Sequence, residues 1–313
     1  MSMVGTLATI IGLSTLFFTV VLSLTSSFSL MTLGVFVVAF NILQWLISPY
    51  IINALYRAKE LPKHENPKLH EIVENLSRKS GIEKPKLMLS RVPIPNAFAY
   101  GSPIAGNRVA VTSGLLKTLE YEEVEAVIGH ELGHLKHRDV QIMMFVSILP
   151  ALLYFIGYSL MLSSMFGRRR EGGSGGAVLL GIGFMIFSWI LNMFILYLSR
   201  LREYYADRHS ASIVEDGPRK LSEGLAKIVH ATKNMRRTRK ETQNLNAFKA
   251  LFITDPDRAN TDSAAMSRVR TPNDQMLVQE ILTRKPTTMD KIIEIFSTHP
   301  NIVKRLRALQ ELS

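Results

Sequence analysis

The chain has 313 residues and a formal net charge of +11, and 47% of its residues are hydrophobic. It contains no cysteine, which excludes disulfides, a thiol nucleophile and any metal site built on thiolates. The apolar residues are concentrated in long runs, and this clustering indicates membrane spans rather than a large soluble core. The basic balance then favours anionic lipid or a charge bias between membrane loops. We expect no nucleic-acid partner, since this is the weakest of the three interpretations: no RNA-binding signature or helix-turn-helix pattern is found.

Four apolar stretches without Asp, Glu, Lys or Arg are long enough to cross a bilayer, which takes about 20 residues each. They cover residues 4–24, 30–52, 142–166 and 177–199. The first lacks the basic segment and the cleavage site of a signal peptide, so we expect it to be retained. The last two could instead form a buried helical hairpin. A transporter is disfavoured, because it would place charged groups inside its spans.

The segments between and after the spans show shorter periodic patterns. Apolar residues at helical spacing predict helices over 66–80 and 122–137, and alternation predicts short strands over 86–90 and 108–112. The tail after residue 200 is mostly helical in pattern, except for a polar, loop-like stretch over 236–273.

The strongest local signal is the pentapeptide His130-Glu131-Leu132-Gly133-His134. Positions four apart lie on one face of a helix, so both imidazoles can reach one metal ion. Glu131 lies about 100° around the helix, which suits it to take a proton from water rather than to bind metal. The pattern also occurs by chance on amphipathic helices with two solvated histidines, so its context has to decide.

A catalytic zinc usually has three protein ligands and one open position. Glu203 is the candidate third ligand, and Asp207, four residues later, could fix the tautomer of a ligating histidine. His137 is a weaker choice, because it lies one turn beyond His134 without a glycine break. Two spans separate the histidines from Glu203. Because this number is even, both groups lie on the same side of the membrane and can share one metal ion. On a continuous helix His134 would lie roughly 12 Å before one span, and Glu203 roughly 6 Å after the other.

These residues resemble the HtpX family of membrane zinc peptidases, in the superfamily that includes the CAAX prenyl-proteases. The likeness covers nearly the whole chain and is carried by residues 130–139, by residues 202–207 and by the two pairs of spans around them. It implies a general base, Glu131, and one zinc ion per chain held by His130, His134 and Glu203.

Two further segments gain an implied role from the same resemblance. Residues 96–99 are similar to an edge strand that pairs with an extended substrate, with Asn96, Ala97 and Phe98 as the substrate-binding residues. The run 297–300 is similar to a histidine-proline element in which His299 stabilises the oxyanion, and Arg305 would pair with Asp207. Without the resemblance, these segments would be an ordinary strand and turn.

The fold class predicted here is a mainly α membrane protein with four transmembrane helices and a cytoplasmic α+β zincin-like catalytic domain with a small sheet. Residues 1–52 and 142–199 supply the spans, and residues 53–141 and 200–313 supply the catalytic domain. The excess of basic residues near the span ends on the catalytic side predicts that this side faces the cytoplasm. The far side carries only Arg168, Arg169 and Arg170, whereas the catalytic side carries Arg57, Lys59, Lys63, Lys68, Lys136, Arg138, Arg200, Arg202 and Arg208.

The predicted function is that of a multi-pass plasma-membrane endopeptidase for misfolded or unassembled membrane proteins, a quality-control and stress-response role implied by the resemblance. A CAAX prenyl-type protease is one alternative, although those enzymes have more spans around a large chamber. A non-enzymatic adaptor with a structural zinc is another. Such a site is typically closed by four ligands, so His137 or His299 would have to bind and Glu131 would have no role.

Overall fold

The computed structural model describes residues 30–166, 174–238 and 274–313. The first predicted span, the arginines at 168–170 and most of the polar stretch lie outside the described residues. In chain order the elements are α1 (Leu30–Leu55), β1 (Ala58–Glu60), α2 (Pro67–Ser80), β2 (Lys86–Ser90), β3 (Ala97–Ser102), β4 (Gly106–Thr112), α3 (Ser113–Thr118), α4 (Tyr121–Lys136), α5 (Asp139–Phe166), α6 (Ser174–Ile213), α7 (Gly217–Thr238), α8 (Asp274–Thr283), α9 (Thr288–Ile295) and α10 (Ile302–Gln310).

Three of the described helices are long and apolar enough to cross a membrane. They are α1, α5 and α6, which contain the second, third and fourth predicted spans. Large apolar side chains on them point outward: Val35, Leu179 and Phe194 are 62%, 72% and 65% exposed. Helices with such surfaces are covered by lipid rather than by a protein core, which argues against the buried-hairpin alternative.

Helices α5 and α6 run antiparallel and touch through small residues. A Cβ at Gly157 would lie 2.5 Å from the carbonyl oxygen of Gly181, so the two backbones approach as closely as they do only because both positions are glycine. Nearby, the Ser188 hydroxyl donates to the carbonyl of Pro150 at 2.7 Å. This contact joins α5 and α6 within the third and fourth predicted spans.

The segment between α1 and α5 contains a four-stranded mixed sheet in the order β1-β2-β4-β3. Strands β2 and β4 are parallel, and β1 and β3 pair antiparallel with their neighbours. The predicted strand over 86–90 is present with those bounds, and β4 starts two residues before its prediction. Strand β1 was not predicted, because three residues are too few to show an alternating pattern.

Alternation along the strands gives the sheet two different faces. Leu87, Val109 and Val111 point into the main core with α2 and α4. Met88, Phe98 and Ala110 point the other way, towards Tyr56 and Ile52 at the end of α1. The sheet therefore lies between the core that holds α4 and the first described apolar helix.

The chain turns sharply between α4 and α5, contrary to the expectation of one continuous helix from the histidines into the third span. Arg138 has φ 53°, in the left-handed region, and α5 begins at the next residue. The His137 amide still bonds to Gly133, but the Arg138 amide bonds only three residues back, to Leu135. A left-handed residue ends a helix in this way, so the estimate of 12 Å along a helix axis does not apply.

Candidate active site

Helix α4 carries the two histidines through the middle of the domain. It starts with a capping box, in which Glu120 and Glu123 each bond to the other's backbone amide. Its residues Val124, Val127, Ile128 and Leu132 are fully buried in the main core. His130 and Glu131 are only 1% and 4% exposed, so the polar groups of the motif are enclosed as well.

Helix α6 crosses α4 at two glycines. A Cβ at Gly133 would lie 3.0 Å from Ala206 Cα, and one at Gly129 would lie 3.0 Å from Ser210 Oγ. The Ser210 hydroxyl also donates to the carbonyl of Ala126 at 2.6 Å. The absence of side chains at these two positions lets α6 approach closely enough to bring Glu203 to the histidines.

Three potential ligand side chains converge at this crossing. Nε2 of His130 and Nε2 of His134 lie 3.1 Å apart. Each is 3.6 Å from an oxygen of Glu203. Ligand atoms of the three residues all lie within 4.8 Å of one another. His137, the weaker candidate, caps α4 instead, and its ring lies beside those of Tyr205 and His209.

Each imidazole is oriented by its own carboxylate. His130 Nδ1 lies 2.8 Å from Asp207 Oδ1, and His134 Nδ1 lies 2.6 Å from Asp139 Oδ2. These contacts place the ring proton of each neutral histidine on Nδ1, which leaves both Nε2 lone pairs facing the same point. Burial lowers the pKa of His134, but Asp139, Glu203 and Glu131 outweigh it, so the pKa is raised overall.

Asp139 is the residue of this cluster that sequence reasoning gave no role. It is 2% exposed and also lies 3.1 Å from Arg202 Nε. The sequence signal was present, since an acidic residue follows the motif by five positions. The role of Asp139 could not be recognised from this spacing, because only the left-handed turn at Arg138 brings Asp139 back towards His134.

Arg305 on α10 closes the cluster from the other side. Its side chain is 1% exposed, with Nε 2.8 Å from Asp207 Oδ2 and Nη1 3.3 Å from Glu203 Oε2. Burial lowers the pKa of Arg305, but Asp207 and Glu203 raise it above its ordinary value. His299 also lies in the cluster, with Nδ1 3.2 Å from Glu203 Oε2.

Strand β3 runs along the open side of Glu131. The amide of Ala99 donates to Glu131 Oε2 at 2.7 Å. Asn96 has its amide and its carbonyl bonded to Thr112, towards β4. Backbone groups alternate in direction along a strand, so those of Ala97 point away from β4, as the Ala99 amide does.

Of the predicted substrate-binding residues, the structure therefore places only one with its backbone at the open edge. Ala97 has that orientation, whereas Asn96 is 1% exposed and directed into the sheet. The Phe98 ring packs between Tyr56 and Tyr100, with centroid distances of 4.7 and 5.5 Å. Ala99, which sequence reasoning missed, is the strand residue that contacts Glu131.

A cavity of about 320 Å³ adjoins these groups. One wall consists of the motif, Glu203, His299 and β3, and the other is supplied by the apolar helices. That second wall includes Asn41, Gln44, Trp45 and Ser48 of α1 and Met143, Met144 and Ser147 of α5. A larger cavity of about 630 Å³ lies among α7, α8 and α10, but no histidine lines it. The smaller cavity is therefore the candidate active site.

Comparison with known proteins decides the family. The model of peptidase family M48 matches residues 63–313, which include every residue of the cluster. This chain belongs to peptidase family M48. The "Protease HtpX homolog" of Thermoplasma acidophilum is 40% identical over 289 residues, covering 90% of this chain and 86% of that protein. The protein of the same description from Aeropyrum pernix is 39% identical over 284 residues, again covering 90% and 86%.

These relatives confirm the resemblance to HtpX, so the chain is an HtpX-type M48 membrane metalloprotease. Among solved structures, the crystal structure of S. mikatae Ste24p matches with a TM-score of 0.59 and 17% identity. The match covers 97% of this M48 protease but only 64% of the other chain. At this identity the likeness concerns the fold, which the two proteins share.

Proposed function

We propose that this M48 protease is a zinc-dependent endopeptidase that cuts misfolded or unassembled membrane proteins on the cytoplasmic side of the plasma membrane. The observation that carries the proposal is the position of Glu131. Its carboxylate lies between the His130–His134–Glu203 cluster and the edge of β3, held by the Ala99 amide at 2.7 Å. A base placed between a metal site and a strand edge is arranged for peptide hydrolysis.

The donor set fits one zinc ion. With Nδ1 of each histidine held by a carboxylate, two Nε2 lone pairs face each other at 3.1 Å and repel unless a cation lies near both. Tetrahedral zinc ligands about 2.0–2.2 Å from the metal lie about 3.3 Å apart, close to the spacing found here. Two imidazoles and one carboxylate also leave the open position that a catalytic zinc needs.

When bound, zinc supplies Lewis-acid chemistry: it lowers the pKa of water and polarises a carbonyl. Glu131 accepts the proton of the attacking water and passes it to the leaving amine, while the Ala99 amide holds the carboxylate in place. His299, beside Glu203, donates a hydrogen bond to the developing oxyanion. Asp207 and Asp139 hold the imidazoles. Arg305 neutralises Asp207 and Glu203, and Arg202 lies beside Asp139.

Substrate binding by backbone pairing supports a broad specificity. An extended peptide that pairs with β3 is recognised mainly by main-chain hydrogen bonds, which every sequence offers. The second wall of the cavity belongs to α1 and α5, so a segment leaving the membrane meets the site without crossing the domain. The excess of basic residues on this side supports a cytoplasmic orientation.

The test is Glu131→Gln, compared with Glu125→Gln, which makes the same change on the same helix outside the cavity. We expect both variants to retain about one zinc per chain, whereas only Glu131→Gln loses casein cleavage, by about 10²–10⁴-fold. Full activity in Glu131→Gln would exclude this residue as the base. If the wild type and both variants bind zinc but none of them cleaves casein, the structural-adaptor alternative is favoured.

Substrate choice needs a second assay. The wild type is offered an unfolded membrane protein, the same protein folded, and a prenylated C-terminal peptide. We expect the unfolded membrane protein to be cut fastest. Preference for the prenylated peptide would replace the quality-control proposal by the prenyl-protease alternative.

A further inference from the structure

Helix α9 has its polarity reversed relative to a helix that faces water. Its buried residues are two acids, Asp290 and Glu294, which are 4% and 8% exposed. Its apolar residues are the exposed ones: Met289, Ile292, Ile293, Ile295 and, just after the helix, Phe296 are between 36% and 63% exposed. On a wheel of 100° per residue these five occupy an arc of about 160°.

Helix α2 of the same domain shows the ordinary arrangement. It buries Leu69, Val73 and Leu76 and turns Glu71 and Glu74 to the outside. Both helices lie on the surface of the catalytic part, so the difference concerns what covers each outer face. A contiguous apolar face of this kind marks contact with a membrane or with another protein.

The two buried acids of α9 bond to its own N-terminus, to the preceding loop and to the start of α10. Asp290 Oδ2 accepts from the Thr287 amide at 2.8 Å and lies 3.3 Å from Arg284. Glu294 pairs with Lys304 at 2.7 Å and accepts from the Asn301 amide at 3.2 Å. The Glu294 contacts hold the acidic side of α9 against α10, so the apolar residues are directed outward by the fold.

The end of α9 is tied to the helix that leaves the membrane. Arg200 Nη1 donates to the carbonyls of Glu294, Ile295 and Ser297 at 2.8, 3.1 and 2.9 Å. Arg200 directly follows the fourth predicted span, and its guanidinium lies 5.8 Å from the ring of Tyr197, which is 54% exposed. An exposed tyrosine followed by an arginine is typical of the membrane–water boundary. The C-terminal end of α9 therefore lies beside the point at which α6 leaves the fourth predicted span.

We propose that α9 is a membrane-surface helix whose apolar face inserts into the bilayer beside α6. Lys291, exposed at the edge of the apolar arc, faces the headgroups, the arrangement found in interfacial helices. Because His299 follows Phe296 by three residues and contacts Glu203, the inserted helix anchors the wall of the cavity that carries His299. The proposal rests on the apolar spans and is independent of zinc and of peptide hydrolysis.

The test uses the absence of cysteine, which makes any introduced thiol unique. Ile293→Cys and Phe296→Cys are labelled with a polarity-sensitive fluorophore in the full-length protein, and Glu71→Cys on α2 is the matched control. The proteins are reconstituted in vesicles of neutral and anionic phospholipid, with a quencher on the acyl chains or with iodide in the water. Unchanged thermal unfolding shows that each variant is folded.

We expect the acyl-chain quencher to reduce the fluorescence at positions 293 and 296 at least about threefold more than at position 71, and iodide to act in the opposite order. Iodide quenching equal to that of the control would put the face in water and overturn the proposal. Protection from both quenchers would also overturn it, because the face would then be covered by protein, either a second copy or another segment of this chain.

Discussion

The imidazoles of this M48 protease are each held by one carboxylate, and the two carboxylates come from different helices. Asp207 lies on α6, whereas Asp139 is the first residue of α5. A histidine whose Nδ1 proton is held by a carboxylate is fixed in rotation and presents Nε2 as a stronger ligand. The pairing therefore links the metal affinity of the site to the turn between α4 and α5.

We predict that Asp139→Asn lowers the affinity for zinc by about 10–100-fold, the usual loss when such a partner is weakened. Asparagine keeps the shape but lacks the charge that supports His134. Zinc affinity is measured by competition with a chromogenic chelator. The control is Asp216→Asn, an exposed acid with a left-handed backbone that asparagine also adopts. Equal affinity in wild type and Asp139→Asn would contradict the prediction.

Arg305 is the buried cation of the cluster, and its removal leaves Asp207 and Glu203 without their guanidinium. We predict that Arg305→Met lowers the free energy of unfolding by about 3–5 kcal/mol, because uncompensated buried carboxylates are costly. Denaturant unfolding of the chelator-treated protein in detergent measures this. Arg307→Met, on the exposed side of the same helix, should change stability by less than about 0.5 kcal/mol. An effect of Arg305→Met as small as that of Arg307→Met would mean that the buried carboxylates do not need this guanidinium.

At the scale of elements, the site depends on how closely α6 approaches α4. The approach is set by Gly129 and Gly133, at which a Cβ would meet Ser210 and Ala206 at 3.0 Å. Glycine inside a helix is otherwise unfavourable, so its use here reflects close helix packing rather than backbone freedom. A small outward shift of α6 would move Glu203 away from both histidines.

We predict that Gly133→Ala reduces zinc affinity and activity together by at least about tenfold, because the added methyl group pushes α6 outward. Gly224→Ala on α7 is the control, since a Cβ there meets its nearest neighbour at 3.5 Å, an ordinary contact. That control should keep full activity and gain up to about 1 kcal/mol of stability from helix propensity. Full zinc affinity in Gly133→Ala would show that α6 adjusts without loss.

At the scale of the molecule, the cavity lies between the His130–His134–Glu203 cluster and the apolar helices. Its wall towards α5 includes Ser147, eight residues into that helix. We predict that Ser147→Trp, which fills this wall, slows cleavage of a membrane-embedded substrate at least about tenfold and leaves that of a short soluble peptide unchanged. Ser163→Trp, exposed at the far end of α5, is the control. Equal loss on both substrates would indicate general damage to the site.

The sequence by itself determined the features that depend on local spacing. The period of four placed His130 and His134 on one helical face, and hydropathy located the three described apolar helices. Alternation located β2 and β4, because each has one face in the main core and one against the end of α1. Such patterns are readable because each residue's environment follows from its own position in the helix or strand.

Only the tertiary structure decided which distant groups meet. It brought Asp139 to His134 through a left-handed turn and Ala99 to Glu131 across a strand edge. It also turned the acidic side of α9 towards the domain. Ala99 and Glu131 are far apart in the chain, and Asp139 reaches His134 only through the turn at Arg138. The reversed polarity of α9 could be read in its residues, but which face points outward was set by its partners on α10 and α6. Contacts of this kind arise from the assembled fold, and a periodicity argument cannot reach them.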